Sequence, residues 1–410
     1  MSLAFSTGDW PLRFWTRALW TSRLSSRYFT LSAEGFTTVP KDRVSRRPEF
    51  WDWRLFCGAR SDRDLTDEDQ LIERIAKAVP SVRGTHARGL VRLGIGDDAA
   101  VLAPGVGSEW VLSCDQFVDG VHFRAESYPA DSVGYKSLVR ATSDLAAMGA
   151  TPQFFFLTLA LSANRTGKWL DAVLRGMGRA ARQLGMRLAG GDTTRSQKVS
   201  MSITVLGERK PAGAVTRAGA RLGDAVCVSG RLGRAALGLE LIERHPGAGP
   251  AGISRLLLPH LYPKIRIELG AWLARNRMAS AMMDISDGLS TDLGRLCRAS
   301  GVGARLWTGR IPCVMIPDAA ARLLRGRRPD PLRLALHGGE DYELVFTLPR
   351  KNLKRLRYAP GVGELTVIGE IERGSGITMV GADGRERRLE PGGWDPFSQR
   401  AGVAVPRRKP

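Results

Sequence analysis

The sequence predicts a mixed α/β protein of the α+β type, and three observations carry that expectation. Short apolar runs of strand length occur among longer stretches of helical period, so both element types are present. The two do not alternate strictly, which disfavours a doubly wound parallel sheet. The pattern also begins afresh near Ala214, dividing the chain into α+β domains of roughly 65–214 and 215–395. A chain of 410 residues has length for two or three such domains, and 43% hydrophobic with 25% charged residues is ordinary for a globular protein.

Taken in order, residues 1–64 stand outside this pattern. They hold five of the ten Trp residues and show no sustained period. Arg13, Arg17, Arg23 and Arg27 faintly resemble a targeting peptide, and an early translation start reads equally well, so this stretch is expected to be poorly ordered. Thr66 with Asp69 reads as a capping box for a helix to about Ala78. Strands follow at Ala99–Leu102 and Trp110–Ser113. Pro129-Ala130-Asp131 opens a helix to about Met148, with Tyr135, Leu138, Ala141, Leu145 and Met148 on one face and Asp144 at its border. Phe154–Leu161 has the length of a central strand. A helix over Lys168–Leu184, a short strand Met186–Ala189 ending in a Gly-Gly-Asp turn, and the alternating strand Val199–Leu206 complete the first domain. The second begins with strand Ala225–Val228 and continues through helices at 232–244 and 262–275. Strand Ala281–Met283 runs into a helix that ends near Arg298, and strands Asp341–Thr347 and Glu364–Ile371 follow. Residues 396–410 form a basic tail.

The net charge is +20, and only ten of the 61 basic residues are Lys. Scattered arginine reads as codon bias more readily than as a nucleic-acid arm, although phosphate-bearing partners are the competing reading. Five dispersed Cys residues without a C-x-x-C pair argue against disulfides or zinc and for a reducing, cytoplasmic setting. No apolar run is long enough to span a bilayer.

Chemistry concentrates where Asp stands beside Gly or Ser at the end of an apolar run. The instances are Asp97/Asp98, Asp115, Ser143-Asp144, Gly191-Asp192, Asp284 and Ser286-Asp287. Carboxylates crowded at strand ends call for a hard divalent cation such as Mg²⁺, while turn and cap roles remain open for each. Asp284 and Asp287, three apart at a helix start, share one side, and the N–H groups there suit phosphate oxygens. There is no G-x-x-x-x-G-K-[ST] loop and no G-x-S-x-G elbow, and five His residues leave little material for imidazole chemistry.

The segments GIGDDAAVL, SCDQFVDGVHF, YKSLVRATSDLAAMGATP, LAGGDTTRS, TRAGARLGD, DISDGLSTDLGRL and GGEDYELVFT together closely resemble the thiamine-monophosphate kinases, within the aminoimidazole ribonucleotide and selenophosphate synthetase superfamily. The resemblance covers about residues 65–397. It implies a two-domain synthetase-like fold in which an N-terminal sheet domain pairs in a homodimer and a C-terminal α+β domain lies behind it. It also implies ATP and thiamine monophosphate as substrates, with several Mg²⁺ ions. Asp98, Ser113, Cys114, Asp115, Asp144, Asp192, Asp284 and Asp287 then match metal positions. Gly191, Asp192, Arg217 and Ser286 match nucleotide contacts, and His122, Glu340 and Trp394 match contacts to the thiamine phosphate. Cys114 departs from the usual Thr, and a thiol is a poor Mg²⁺ ligand unless the backbone carbonyl does the binding.

Bland roles stay open beside these. His122 reads also as a strand-end histidine, Arg217 as a surface residue and Trp394 as a C-terminal staple. Either Glu340 or Asp341 is the inward carboxylate. The acceptor phosphate has a second pKa of about 6, so it is largely dianionic at neutral pH and no general base is expected. A synthetase of the same superfamily is the alternative reaction. A nucleic-acid binder built on the +20 charge is the alternative class, and the Asp-rich motifs argue against it.

Overall fold

The computed structural model describes residues 74–81, 91–93, 101–102, 105, 107–210, 215–244, 254–324 and 329–395. The N-terminal extension, the Thr66–Asp69 capping box, Asp97, Asp98 and the basic tail lie outside these residues. Residues 74–78 are helical, as the sequence predicts for that helix's end. Two short strands, β1 (Val91–Leu93) and β2 (Val101–Leu102), pair antiparallel.

Strand β3 (Glu109–Val118) sets the logic of the first domain. Phe117 is buried and Ser113 and Asp115 are half-buried, whereas Leu112, Cys114 and Gln116, pointing the other way, are exposed. With β4 (Thr151–Leu161), β5 (Arg187–Arg195) and β6 (Ser200–Arg209), it forms a sheet of order β3-β6-β4-β5, antiparallel except for β4 with β5. Gly190-Gly191-Asp192 is therefore not the turn that the sequence suggests. The β5 strand continues through it, because a bulge at Ala189 restores pairing with β4 from Gly190 onward.

Helices α1 (Ala130–Ala147) and α2 (Lys168–Leu184) cover the inner face of this sheet, over Phe117, Leu157, Leu159, Met201 and Ile203. Their backbones touch. A Cβ on Gly134 would lie 1.9 Å from the Val173 carbonyl oxygen, and one on Gly176 would lie 1.8 Å from that of Asp131.

Helix α1 is buried all round, where the sequence predicts a single apolar face. Lys136, Ser137, Thr142 and Ser143 are as fully buried as Leu138 and Leu145. The reason is that its other side packs on the second domain. The Ser137 and Thr142 hydroxyls donate back to the carbonyls of Gly134 (2.9 Å) and Leu138 (2.7 Å), so their burial leaves no orphan donor.

The second domain contains β7 (Ala225–Ser229), α3 (Arg234–Arg244), α4 (Ser254–Leu261), α5 (Ile267–Arg275), β8 (Ala281–Ile285), α6 (Leu289–Ser300) and β9 (Gly303–Trp307). It continues with α7 (Asp318–Leu323), α8 (Pro331–His337), β10 (Glu343–Leu348), β11 (Leu365–Glu372), β12 (Gly376–Val380) and β13 (Glu386–Leu389). Its seven-stranded sheet has the order β13-β12-β9-β11-β7-β10-β8, antiparallel except for β12 with β9. β7, β8 and β10 are buried along their whole length, because apolar side chains cover both faces. Leu289, Leu293 and Leu296 of α6 pack on one face, while Leu269 and Leu273 of α5 meet the other together with Ala146 and Ala147 of α1. Each such buried leucine contributes about 1.5–3 kcal/mol. Helix α4 contains Pro259 and escapes the sequence pattern, and α5 starts at Ile267 rather than 262. No helix among the described residues is long and apolar enough to cross a membrane.

Candidate active site

The site lies where α1 runs between β3, at one edge of the first sheet, and β8, at one edge of the second. Strand alternation turns Ser113 and Asp115 toward α1. There the Ser113 hydroxyl donates to Asp144, and Arg140 Nε donates to Asp115 Oδ2 at 3.1 Å. One residue before Asp144, the Ser143 hydroxyl donates to Asp284 Oδ2 at 2.8 Å. Asp115, Asp144 and Asp284 thus form an electrostatic row. Burial, followed by the negative charge of Asp144, pushes the Asp284 carboxyl up to about 8. Burial and Asp115 raise that of Asp144 against the opposing Ser113 hydrogen bond and the Arg217 charge. The last effect places Arg217 within electrostatic reach of the row.

A cation fits this donor set. Asp284 is buried and has no basic partner among the described residues, and all the donors are hard oxygens. Among the described residues no three His, Cys, Asp or Glu side chains enclose one ion by themselves.

Asp192 explains part of that. Across the first sheet Asp115, Ile203, Leu157 and Gly191 share one row, so Asp192 falls in the next row with Thr158, Ser202 and Gln116. It therefore points to the outer face, three strands and about 14 Å from β3. Cys114 also faces outward, where its sulfur accepts from the Thr204 hydroxyl at 3.2 Å. Its thiol cannot join Ser113 and Asp115, so only its backbone carbonyl remains as a candidate donor. Gly191 is required by contact: a Cβ there would lie 1.9 Å from the Leu157 carbonyl oxygen.

The loop from Ser286 to Gly288 corrects one expectation. Its three N–H groups do not await a phosphate. All three donate to Asp292 Oδ2, at 2.9 to 3.1 Å. Burial and the neighbouring Asp287 push the Asp292 carboxyl up to about 7. Asp287 is not a helix cap either, since its carboxylate takes Arg295 Nη1 at 2.5 Å. Of Ser286, only the hydroxyl makes no hydrogen bond among the described residues.

The carbonyls of this loop hold two further candidates. Ser286 O accepts from Glu340 N at 2.7 Å, and Asp287 O accepts from Trp394 N at 3.0 Å. Trp394 is thus stapled by its backbone, while its side chain stays 49% exposed and free to stack. Glu340 and Tyr342 both have left-handed backbones, with φ of 66° and 51°. Side chains tolerate that conformation poorly, at roughly 1–3 kcal/mol each, so the loop is strained at two of three consecutive residues. Between them the Asp341 carboxylate accepts from Gly233 N (2.6 Å) and Ala235 N (3.0 Å) at the start of α3. Asp341 is therefore structural, and Glu340 is the carboxylate that faces the site.

Lys136, one α1 turn before Arg140, donates from Nζ to Glu340 Oε2 at 2.8 Å. Burial alone would raise the Glu340 carboxyl, but Lys136 and His260 hold it down to about 2. His122 accepts from Val118 N at Nδ1 (3.1 Å), and burial together with Arg140 lowers its pKa to about 4. It is neutral, with Nε2–H as its donor. Sequence reasoning missed Lys136, Arg140, Asp292 and His260. One signal was present, since Lys136, Arg140 and Asp144 recur every fourth residue along one stripe of the helix.

Known proteins match this architecture. Residues 96–209 match the family described as AIR synthase related protein, N-terminal domain, and residues 221–381 match its C-terminal domain. The thiamine-monophosphate kinase of Escherichia coli (strain K12) is 38% identical over 318 residues, 75% of this chain and 93% of the relative. The chain belongs to the thiamine-monophosphate kinase family. The family member from Aquifex aeolicus (strain VF5) is 32% identical over 303 residues, 74% of this chain and 92% of its own. Among solved structures, the thiamine-monophosphate kinase from Stenotrophomonas maltophilia K279a superposes with a TM-score of 0.63 at 36% identity, covering 77% of this chain and 95% of that one. AaThiL complexed with AMPPCP and TMP gives 0.63 at 31% identity, covering 80% and 97%.

Proposed function

We propose that this protein transfers the γ-phosphoryl group of ATP to the phosphate of thiamine monophosphate, giving ADP and thiamine diphosphate. The observation that carries the reading is the adjacency of two unlike clusters on one α1 stripe. The carboxylate row Asp115, Asp144 and Asp284 suits cations and nucleotide phosphates, and Glu340, with Trp394 anchored one carbonyl along from it, suits a cationic heterocycle. Family membership supports the same reaction, since the related AaThiL was solved with AMPPCP and TMP.

Asp98, Ser113, Asp115, Asp144, Asp284 and Asp287 would hold Mg²⁺, with Cys114 contributing through its carbonyl. Bound there, Mg²⁺ would screen the two polyanions and neutralise charge on the transferring group. The chain's own residues do the positioning. Ser143 and Ser113 orient two carboxylates by donating to them. Arg217 and the Ser286 hydroxyl meet the nucleotide. Trp394 offers a face for the thiazolium, worth roughly 0.5–2 kcal/mol. The neutral His122 donates from Nε2 and takes no proton, in keeping with an acceptor that is already a dianion.

Asp192 on the outer sheet face, next in the strand to Gly191, belongs to the same reading if a second copy packs there, forming a groove between subunits of a homodimer. Incubating the protein with ATP, Mg²⁺ and thiamine monophosphate tests the proposal. Thiamine diphosphate and ADP in equal amounts are expected, while free phosphate with no diphosphate would overturn it.

A further inference from the structure

Three polar side chains from both domains meet beneath Glu340. The Lys136 side chain is only 2% exposed and that of His260 1%, and Tyr128 is also buried. Tyr128 OH lies 2.9 Å and Lys136 Nζ 3.3 Å from His260 Nε2. Both are donors, so Nε2 is the acceptor and Nδ1 carries the proton. Nδ1 lies 3.2 Å from Glu340 Oε2, at too oblique an approach for a hydrogen bond, so it acts as a dipole toward the carboxylate. Lys136 Nζ binds the same oxygen. Oε1 accepts no hydrogen bond among the described residues and is left for a ligand.

An ammonium buried this deeply is costly unless it is paired, so the cluster is not incidental packing. Lys136 is one α1 turn from Arg140 and two from Asp144, which makes α1 a rigid spacer between the carboxylate row and Glu340. The strained backbone at Glu340 also needs an external tether to persist. We propose that Lys136, seated by His260 and Tyr128, is a positioning residue for the acceptor substrate. It fixes the ionised Glu340 carboxylate so that Oε1 engages the cationic or amine-bearing part of thiamine monophosphate. This rests on the function proposed above.

The test compares wild type, Lys136→Met, Lys136→Arg, Glu340→Gln and the double variant Lys136→Met/Glu340→Gln in steady-state assays with each substrate varied, alongside thermal melts. Lys136→Met should raise KM for thiamine monophosphate about 10- to 100-fold while KM for ATP moves less than about threefold. Lys136→Arg, which keeps the charge, should recover most of that loss. Adding Lys136→Met to Glu340→Gln should change KM less than about twofold, because the effect passes through Glu340. Equal rises in both KM values, additive effects in the double variant, or a lowered Tm with unchanged KM would each overturn the positioning role. Should Lys136→Met not fold, Lys136→Gln replaces it, alone and combined with Glu340→Gln. A thiamine monophosphate KM raised by Lys136→Gln in wild type but not in the Glu340→Gln background supports the link, and an equal rise in both refutes it. Wild type lacking any turnover of thiamine monophosphate would overturn the functional reading and this inference with it. Normal wild-type turnover with an indifferent Lys136 overturns this inference alone.

Discussion

Replacing Asp284 by Asn should stabilise the metal-free protein while sharply lowering turnover. The carboxyl is pushed up to about 8 by burial and by Asp144, from an ordinary value of 3.8. A folded-state value above the unfolded one means that the native protein holds the proton more tightly. Its stability then falls as pH rises from about 4 and reaches the full loss above about 8. Four units at about 1.36 kcal/mol each set a ceiling of roughly 6 kcal/mol. Water entry and the Ser143 hydrogen bond to the ionised form leave a working figure of roughly 2–3 kcal/mol. At about 2 °C per kcal/mol, the Asp284→Asn protein in EDTA should melt about 4–6 °C above wild type at pH 9 and close to it at pH 5. Adding Mg²⁺ should stabilise wild type and erase the difference. Turnover should drop about 10²–10³-fold. Melting curves in EDTA and in Mg²⁺ across pH 5–9, with assays at pH 8, supply every number. A gap that does not widen with pH, or a variant with normal turnover, would refute the reasoning.

Asp115→Asn should behave differently. It removes the ionic partner of Arg140, whose Nη1 has no hydrogen-bond partner among the described residues, so apo stability should fall by about 1–3 kcal/mol in chemical denaturation while kcat collapses. Gly191→Ala places a methyl 1.9 Å from a carbonyl oxygen of the neighbouring strand, and should yield insoluble protein or a Tm lower by more than about 5 °C. Trp394→Ala should raise KM for thiamine monophosphate about 2- to 30-fold at unchanged Tm, because the exposed ring contributes little to the fold. A fallen Tm with normal KM would return Trp394 to a packing role.

Much of the first domain was legible because local rules govern it. The run Phe154–Leu161 is apolar enough to be a central strand, and the alternation in β6 gives its buried face directly. Period also explains what was misread. Helix α1 shows one apolar stripe to a reader who assumes water on the other side, and nothing local announces that a second sheet lies there. Lys136 and Glu340 stand 204 positions apart, so only the folded chain could pair them. The Gly-Gly-Asp segment has turn chemistry, yet the bulge at Ala189 keeps it in the strand. Asp292 was invisible as a loop acceptor, because an Asp four residues into a helix ordinarily reads as solvent-facing charge. The carboxylates at strand ends were legible as a group. The face each one takes was not, and that separates Asp192 from Asp115.

The adjacent carbonyls of Ser286 and Asp287 give the enzyme a property that neither ligand site has by itself. One carries Glu340 and the other Trp394, and the same short loop sits between Asp284 and the Asp292 anchor. On the roles proposed above, whatever settles the carboxylates would narrow the positions open to Glu340 and Trp394. On the proposed function the two ligands are expected to tighten each other's binding, and any coupling acts by equal factors in both directions, since free energy around a closed cycle sums to zero. Thiamine monophosphate titrated with and without a non-hydrolysable ATP analogue should show heterotropic cooperativity, vanishing when Asp292→Ala frees the loop.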